Sequence, residues 1–124
     1  MGNPHTAAMR NPDTEKATRD AQSLIGQSIT SVCFAEYSCF IYLDSAHIRI
    51  ESSASVGDTI KRYTLFPVVD NNSLNLVLGK RVTDVSVQAE HFIMMLCNNQ
   101  TIDIEIQDDF ESIDIEIGNK SVIL

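Results

Sequence analysis

A chain of 124 residues, 44% apolar and 21% charged, has the length and composition of one globular domain that buries its core without disulfide staples. Its formal charge of −8 is unevenly placed: residues 1–81 carry eight bases and eight acids, whereas residues 82–124 carry nine acids against Lys120 alone. Such a field repels phosphate backbones, which argues against a nucleic-acid partner and favours a basic protein.

Residues 1–13, with Asn3, Pro4, Asn11 and Pro12, read as a loose tail preceding one β-rich domain over residues 14–124. The tail has no apolar core of the secretory kind, and no run in the chain approaches membrane-spanning length, so a cytoplasmic protein with no membrane association is expected. Gly2 and Thr6 fit the M-G-x-x-x-[ST] acylation pattern, which is too short and common to carry weight. Cys33, Cys39 and Cys97 form an odd set without metal-type spacing and read as reduced, mostly buried hydrophobes.

From Asp13 or Thr14, a cap residue, the sequence predicts a short helix ending at Gly26. Gln27 to Ser52 reads as a three-stranded meander, with strands at 29–34, 39–43 and 48–51. Ser52 to Asp58 reads as a loop by composition, and Lys61 to Val69 as an extended segment that Pro67 confines to an edge or strand end. Ser73 is positioned to cap one helical turn from Leu74 to Leu78.

The pattern then returns. Leu24-Ile25-Gly26-Gln27-Ser28-Ile29-Thr30-Ser31-Val32 aligns with Val77-Leu78-Gly79-Lys80-Arg81-Val82-Thr83-Asp84-Val85, and the strands 40–43 and 48–51 align with 93–96 and 102–105. Two repeats, about 24–52 and 77–106, are followed by a C-terminal hairpin at 111–124 that turns at Gly118-Asn119. Neither repeat buries its apolar face alone. The expected fold is therefore mainly β: two antiparallel meanders packed as a sandwich or half-barrel, with a short N-terminal helix.

The most informative stretch is Thr101 to Ile117. Ile102, Ile104 and Ile106 alternate with Asp103 and Glu105, and Ile113, Ile115 and Ile117 alternate with Asp114 and Glu116, giving two strands with carboxylates on their outer faces. Asp108, Asp109 and Glu111 lie between them. Were the two strands to pair, all these acids would share one surface, with Phe110 as an aromatic anchor among them. The competing readings are a solvated face that guards an edge against aggregation, and a cation site, although no calcium-loop motif is present. His5, His47 and His91 lack ligand spacing, and no nucleophile elbow or glycine-rich phosphate cradle occurs, so neither catalytic nor metal-binding residues nor a cofactor are expected.

The duplicated L-[IL]-G-x-x-[IV]-T-x-V unit, the following I-D-I-E strand and the segment Asp109-Phe110-Glu111-Ser112-Ile113 resemble a family of small uncharacterised bacterial proteins over about residues 24–117. This chain departs from that pattern at two hairpin turns, where Ser45-Ala46 and Asn98-Asn99 replace Asp-Gly, and at Ile113, where an aromatic is commoner. No established activity carries over. The family is similar in size and charge to bacterial immunity proteins, which implies binding and neutralisation of a basic toxin domain. The partner-binding set is then Asp103, Glu105, Asp108, Asp109, Phe110, Glu111, Asp114 and Glu116. The alternative is a structural module that self-associates into a homodimer through exposed edge strands; a metal-assisted hydrolase is a third reading.

Overall fold

The computed structural model of the protein describes residues 14–124. The expected tail, with His5 and the Gly2–Thr6 pattern, lies outside the described residues. Helix α1 (Thr14–Ala21) continues through a 3-10 turn (Gln22–Leu24) into strands β1 (Ile29–Phe34), β2 (Cys39–Leu43) and β3 (Ala46–Ile50). The chain proceeds through β4 (Ala54–Gly57), β5 (Arg62–Phe66) and helix α2 (Asn71–Val77). A second meander, β6 (Val82–Val87), β7 (His91–Leu96) and β8 (Thr101–Glu105), precedes the hairpin β9 (Ile113–Ile117) and β10 (Lys120–Ile123).

These strands form two five-stranded antiparallel sheets, ordered β1-β2-β3-β9-β10 and β5-β4-β8-β7-β6. Each meander founds one sheet and sends its following hairpin to the other. Thus β9 pairs with β3, setting Ile48 opposite Ile115 and Ile50 opposite Ile113. In the same way β4 pairs with β8, setting Val56 opposite Ile102 and Ala54 opposite Ile104. All eight of these residues are buried and belong to one core shared by the two sheets. The alternation of aliphatic and polar residues causes this: one face of each strand must leave water, and only the facing sheet supplies an apolar cover.

The repeat extends to details of the backbone. Both β1 and β6 carry a bulge near their start, where Thr30 and Thr83 donate their hydroxyls to the carbonyls of Tyr42 and Met95, each at 3.2 Å. The threonine of the repeated motif therefore re-anchors a ladder that the bulge interrupts. Helix α1 packs on β6 and β10, and α2 on β4 and β5.

Two local expectations are corrected. Residues 54–57 form a strand rather than a loop. Their small side chains suit a place between β5 and β8, and a Cβ on Gly57 would stand 2.1 Å from the Lys61 carbonyl oxygen, so only glycine fits that tight hairpin. The cap of α2 is Asp70, whose carboxylate accepts the Asn72 N–H, while Ser73 lies buried inside the helix. Cys33 and Cys39 lie one register position apart, opposite Phe40 and Phe34, and so point to opposite faces of the sheet. Cys39 is buried, which pushes its thiol up to about 12, whereas Cys33 and Cys97 are exposed.

Candidate binding surface

The two acidic strands do not pair. β8 lies between β4 and β7 in one sheet and β9 between β3 and β10 in the other, so their carboxylates occupy two separate outward faces. The hairpin exchange divides the expected partner-binding set into three groups.

On the β8 face, Asp103 lies 2.7 Å from His91 Nδ1, and Glu105 accepts from Ser53 Oγ at 3.2 Å and Gln107 Nε2 at 2.5 Å. His91 stands directly opposite Glu105 in the register, two pairs away from Asp103 and on the same face, so the His91–Asp103 contact is diagonal. Arg62 reaches across from β5 to Ser55 and Thr101. His91, Asp103, Glu105, Ser53, Ser55 and Arg62, with their neighbours on β4 and β5, line a shallow depression of about 350 Å³.

On the β9 face, Asp114 and Glu116 are half-buried and face Arg49 and His47 across β3. Burial, and then the adjacent Glu116, raise the Asp114 carboxyl above its ordinary range, with Arg49 opposing. Glu116 moves the other way, held down first by the Ser121 hydroxyl, which donates to it at 2.6 Å, and then by Asp114. This pair is an internal arrangement of the sheet. Arg49 also pairs with Glu51.

The third group is the connection from β8 to β9, where Asp108, Asp109, Phe110 and Glu111 are all exposed. Its structure follows from one buried residue. The Ser112 hydroxyl accepts the Gln107 N–H at 2.7 Å and donates to the Phe110 carbonyl at 3.4 Å, closing the loop on itself. Backbone bonds fasten both ends: the Ile106 N–H donates to Glu90 O, and the Ser112 N–H donates to Leu124 O. One flank of the loop forms a pocket of about 310 Å³ with Glu90, His91 and Glu105; the other forms one of about 420 Å³ with Ile123 and Leu124. Neither lining includes a Lys or Arg.

The internal symmetry isolates this loop. Between the equivalent core pairs, three residues separate Ile50 from Ala54 in the first copy, whereas eight separate Ile104 from Ile113 in the second. The five additional residues make the loop and bring three acids and an aromatic with them. The sequence places Asp108, Asp109, Phe110 and Glu111 in this connection, but it does not reveal Glu90 and His91 as the loop's neighbours, nor Ser53 and Arg62 beside Asp103 and Glu105. The Asn98-Asn99 turn held part of the signal, because it fixes the β7–β8 register that brings His91 to Asp103.

Among the described residues, no group of three or more His, Cys, Asp or Glu is arranged to hold a metal ion, and no helix is long and apolar enough to cross a membrane. The architecture defines an internally duplicated, two-sheet β protein with exchanged hairpins. Comparison with models of known protein families, with curated proteins and with solved structures finds no match to the chain.

Proposed function

We propose that this is a non-enzymatic binding protein of the immunity type, which docks the loop carrying Asp108, Asp109, Phe110 and Glu111 onto a basic domain of a bacterial toxin and so neutralises it. The observation that carries this reading is the broken symmetry. A duplicated scaffold needs only a three-residue link to pass from one sheet to the other, yet its second copy spends eight residues there and loads them with acids around an exposed aromatic. Loops held by a rigid scaffold are where recognition residues concentrate. Carboxylates around an aromatic anchor suit a basic surface, which the acids steer into place and the ring fixes. The family resemblance described above, and the likeness of that family to immunity proteins, supply the toxin as the class of partner.

The test is comparative capture from cells of the source bacterium. Immobilised protein is set beside an Asp108→Lys/Asp109→Lys/Glu111→Lys variant and a control with Glu36→Lys and Asp44→Lys on the first meander. A basic protein retained by the parent chain and the control, but lost by the triple variant, supports the proposal. The same proteins retained by all three would overturn it.

A further inference from the structure

The duplication exposes a second asymmetry, in the strand edges. The Ala35 N–H donates to the Ser38 carbonyl at 2.8 Å, and the alternation of an antiparallel ladder then turns the N–H and C=O groups of Val32 and Phe34 away from β2, towards the open edge of the sheet. The same holds in the second copy, where the Gln88 N–H donates to His91 O and Val87 takes the place of Phe34. There the edge is covered: the Val87 N–H donates to Thr18 Oγ1 of α1 at 2.9 Å. The residue equivalent to Thr18 is Asn71, which only begins α2. Among the described residues, no hydrogen bond joins α2 to β1, and the edge groups of Val32 and Phe34 have no partner.

We propose that the free edge of β1 pairs antiparallel with β1 of a second copy of this chain, joining two five-stranded sheets into one of ten strands across a two-fold axis at Cys33. Charge selects the occupant. The chain's excess of −8 is carried by residues 82–124, where copies repel one another, but residues 29–43, which supply this edge and the strand behind it, contain Glu36 as their single charged residue. β1 itself is uncharged, without the lysines that natural edge strands use to prevent pairing. With the axis at Cys33, Val32 of each copy faces Phe34 of the other, so the groups that exchange hydrogen bonds are the ones without a partner among the described residues. The pairing also covers Phe34, which is 42% exposed although it lies on the inner face of its sheet. This interface is independent of the acidic loop, and either inference stands if the other fails.

The test uses the full chain. Sedimentation equilibrium from low micromolar to sub-millimolar concentration should show a reversible dimer. Cys33→Asp places like charges opposite each other at the axis and should weaken association by about tenfold, whereas Thr64→Glu on the edge strand β5 should leave it unchanged. Copper-phenanthroline oxidation should trap a disulfide-linked dimer in the parent chain and in Cys97→Ser, but not in Cys33→Ser. The cross-link is read on chains with an unaltered strand backbone, so it decides even if Cys33→Asp fails to fold. A monomer throughout the concentration range, a dimer untouched by Cys33→Asp, or a cross-link that runs through Cys97 would overturn the proposal. So would a monomer that instead captures an extended peptide along this edge.

Discussion

Gly26 and Gly79 hold the two halves of the molecule together by reciprocal hydrogen bonds. The Gly26 N–H donates to the Val82 carbonyl and the Gly79 N–H to the Ile29 carbonyl, each at 2.8 Å, about the Ser28–Arg81 bridge. Both glycines have positive φ, +94° and +78°, and both would face open space with a Cβ. Their role is the left-handed backbone that ends each helical segment and aims the following strand.

Because only the backbone conformation is at stake, Gly26→Ala and Gly79→Ala should each destabilise the fold by about 1 kcal/mol, with nearly equal effect. Urea denaturation of the two variants measures this. A large inequality between them would show that the two copies are not mechanically equivalent.

Within the acidic loop, the Ser112 hydroxyl joins Gln107 to Phe110. Ser112→Ala removes the hydroxyl that accepts the Gln107 N–H and should cost about 1 kcal/mol. Amide exchange at residues 107–111 should accelerate while the sheets keep their protection. Partner affinity should fall as well, because a loosened loop must be ordered on binding.

Asp114 and Glu116 give the β9 face a pH response of mixed sign. Asp114, raised chiefly by burial, holds its proton more tightly in the fold than in the unfolded chain. Its ionised form therefore opposes folding at neutral pH, and this opposition fades as pH falls through the raised value. Glu116, lowered chiefly by Ser121, contributes stability above its unfolded value of 4.5 and loses it as pH falls through the lowered one. Asp114→Asn should therefore raise the melting temperature by roughly 1–3 °C at neutral pH, with the gain gone by about pH 3. Thermal melts across that range check it. A loss of stability at neutral pH would mean that the Arg49 pairing outweighs the cost of burial.

Local rules made the strands readable. Ile102, Ile104, Ile113 and Ile115 declare their buried face by alternation, and Gly26 and Gly79 mark the two copies because few other residues adopt that backbone. The exchange of hairpins was not readable. β8 and β9 carry the same isoleucine–carboxylate pattern, and nothing local says whether they meet each other or the opposite meander; burying two sheets against one another decides it. β4 is not legible in the sequence because Ala54, Val56 and Gly57 owe their place to the neighbours β5 and β8 rather than to strand propensity. The inserted loop was legible as an acidic connection, but its meaning came only from the pairing of Ile50 with Ile113 and of Ala54 with Ile104, which measures it against its shorter twin.

The most direct measurement is the association rate of the captured basic partner across a salt series, for the parent chain and for Asp108→Lys/Asp109→Lys. If the inserted loop is the recognition element, the parent rate falls steeply with ionic strength, and the variant associates at least about tenfold more slowly at low salt with a flatter dependence. Equal rates and equal salt dependence for the two chains would contradict the assignment of this loop as the binding surface.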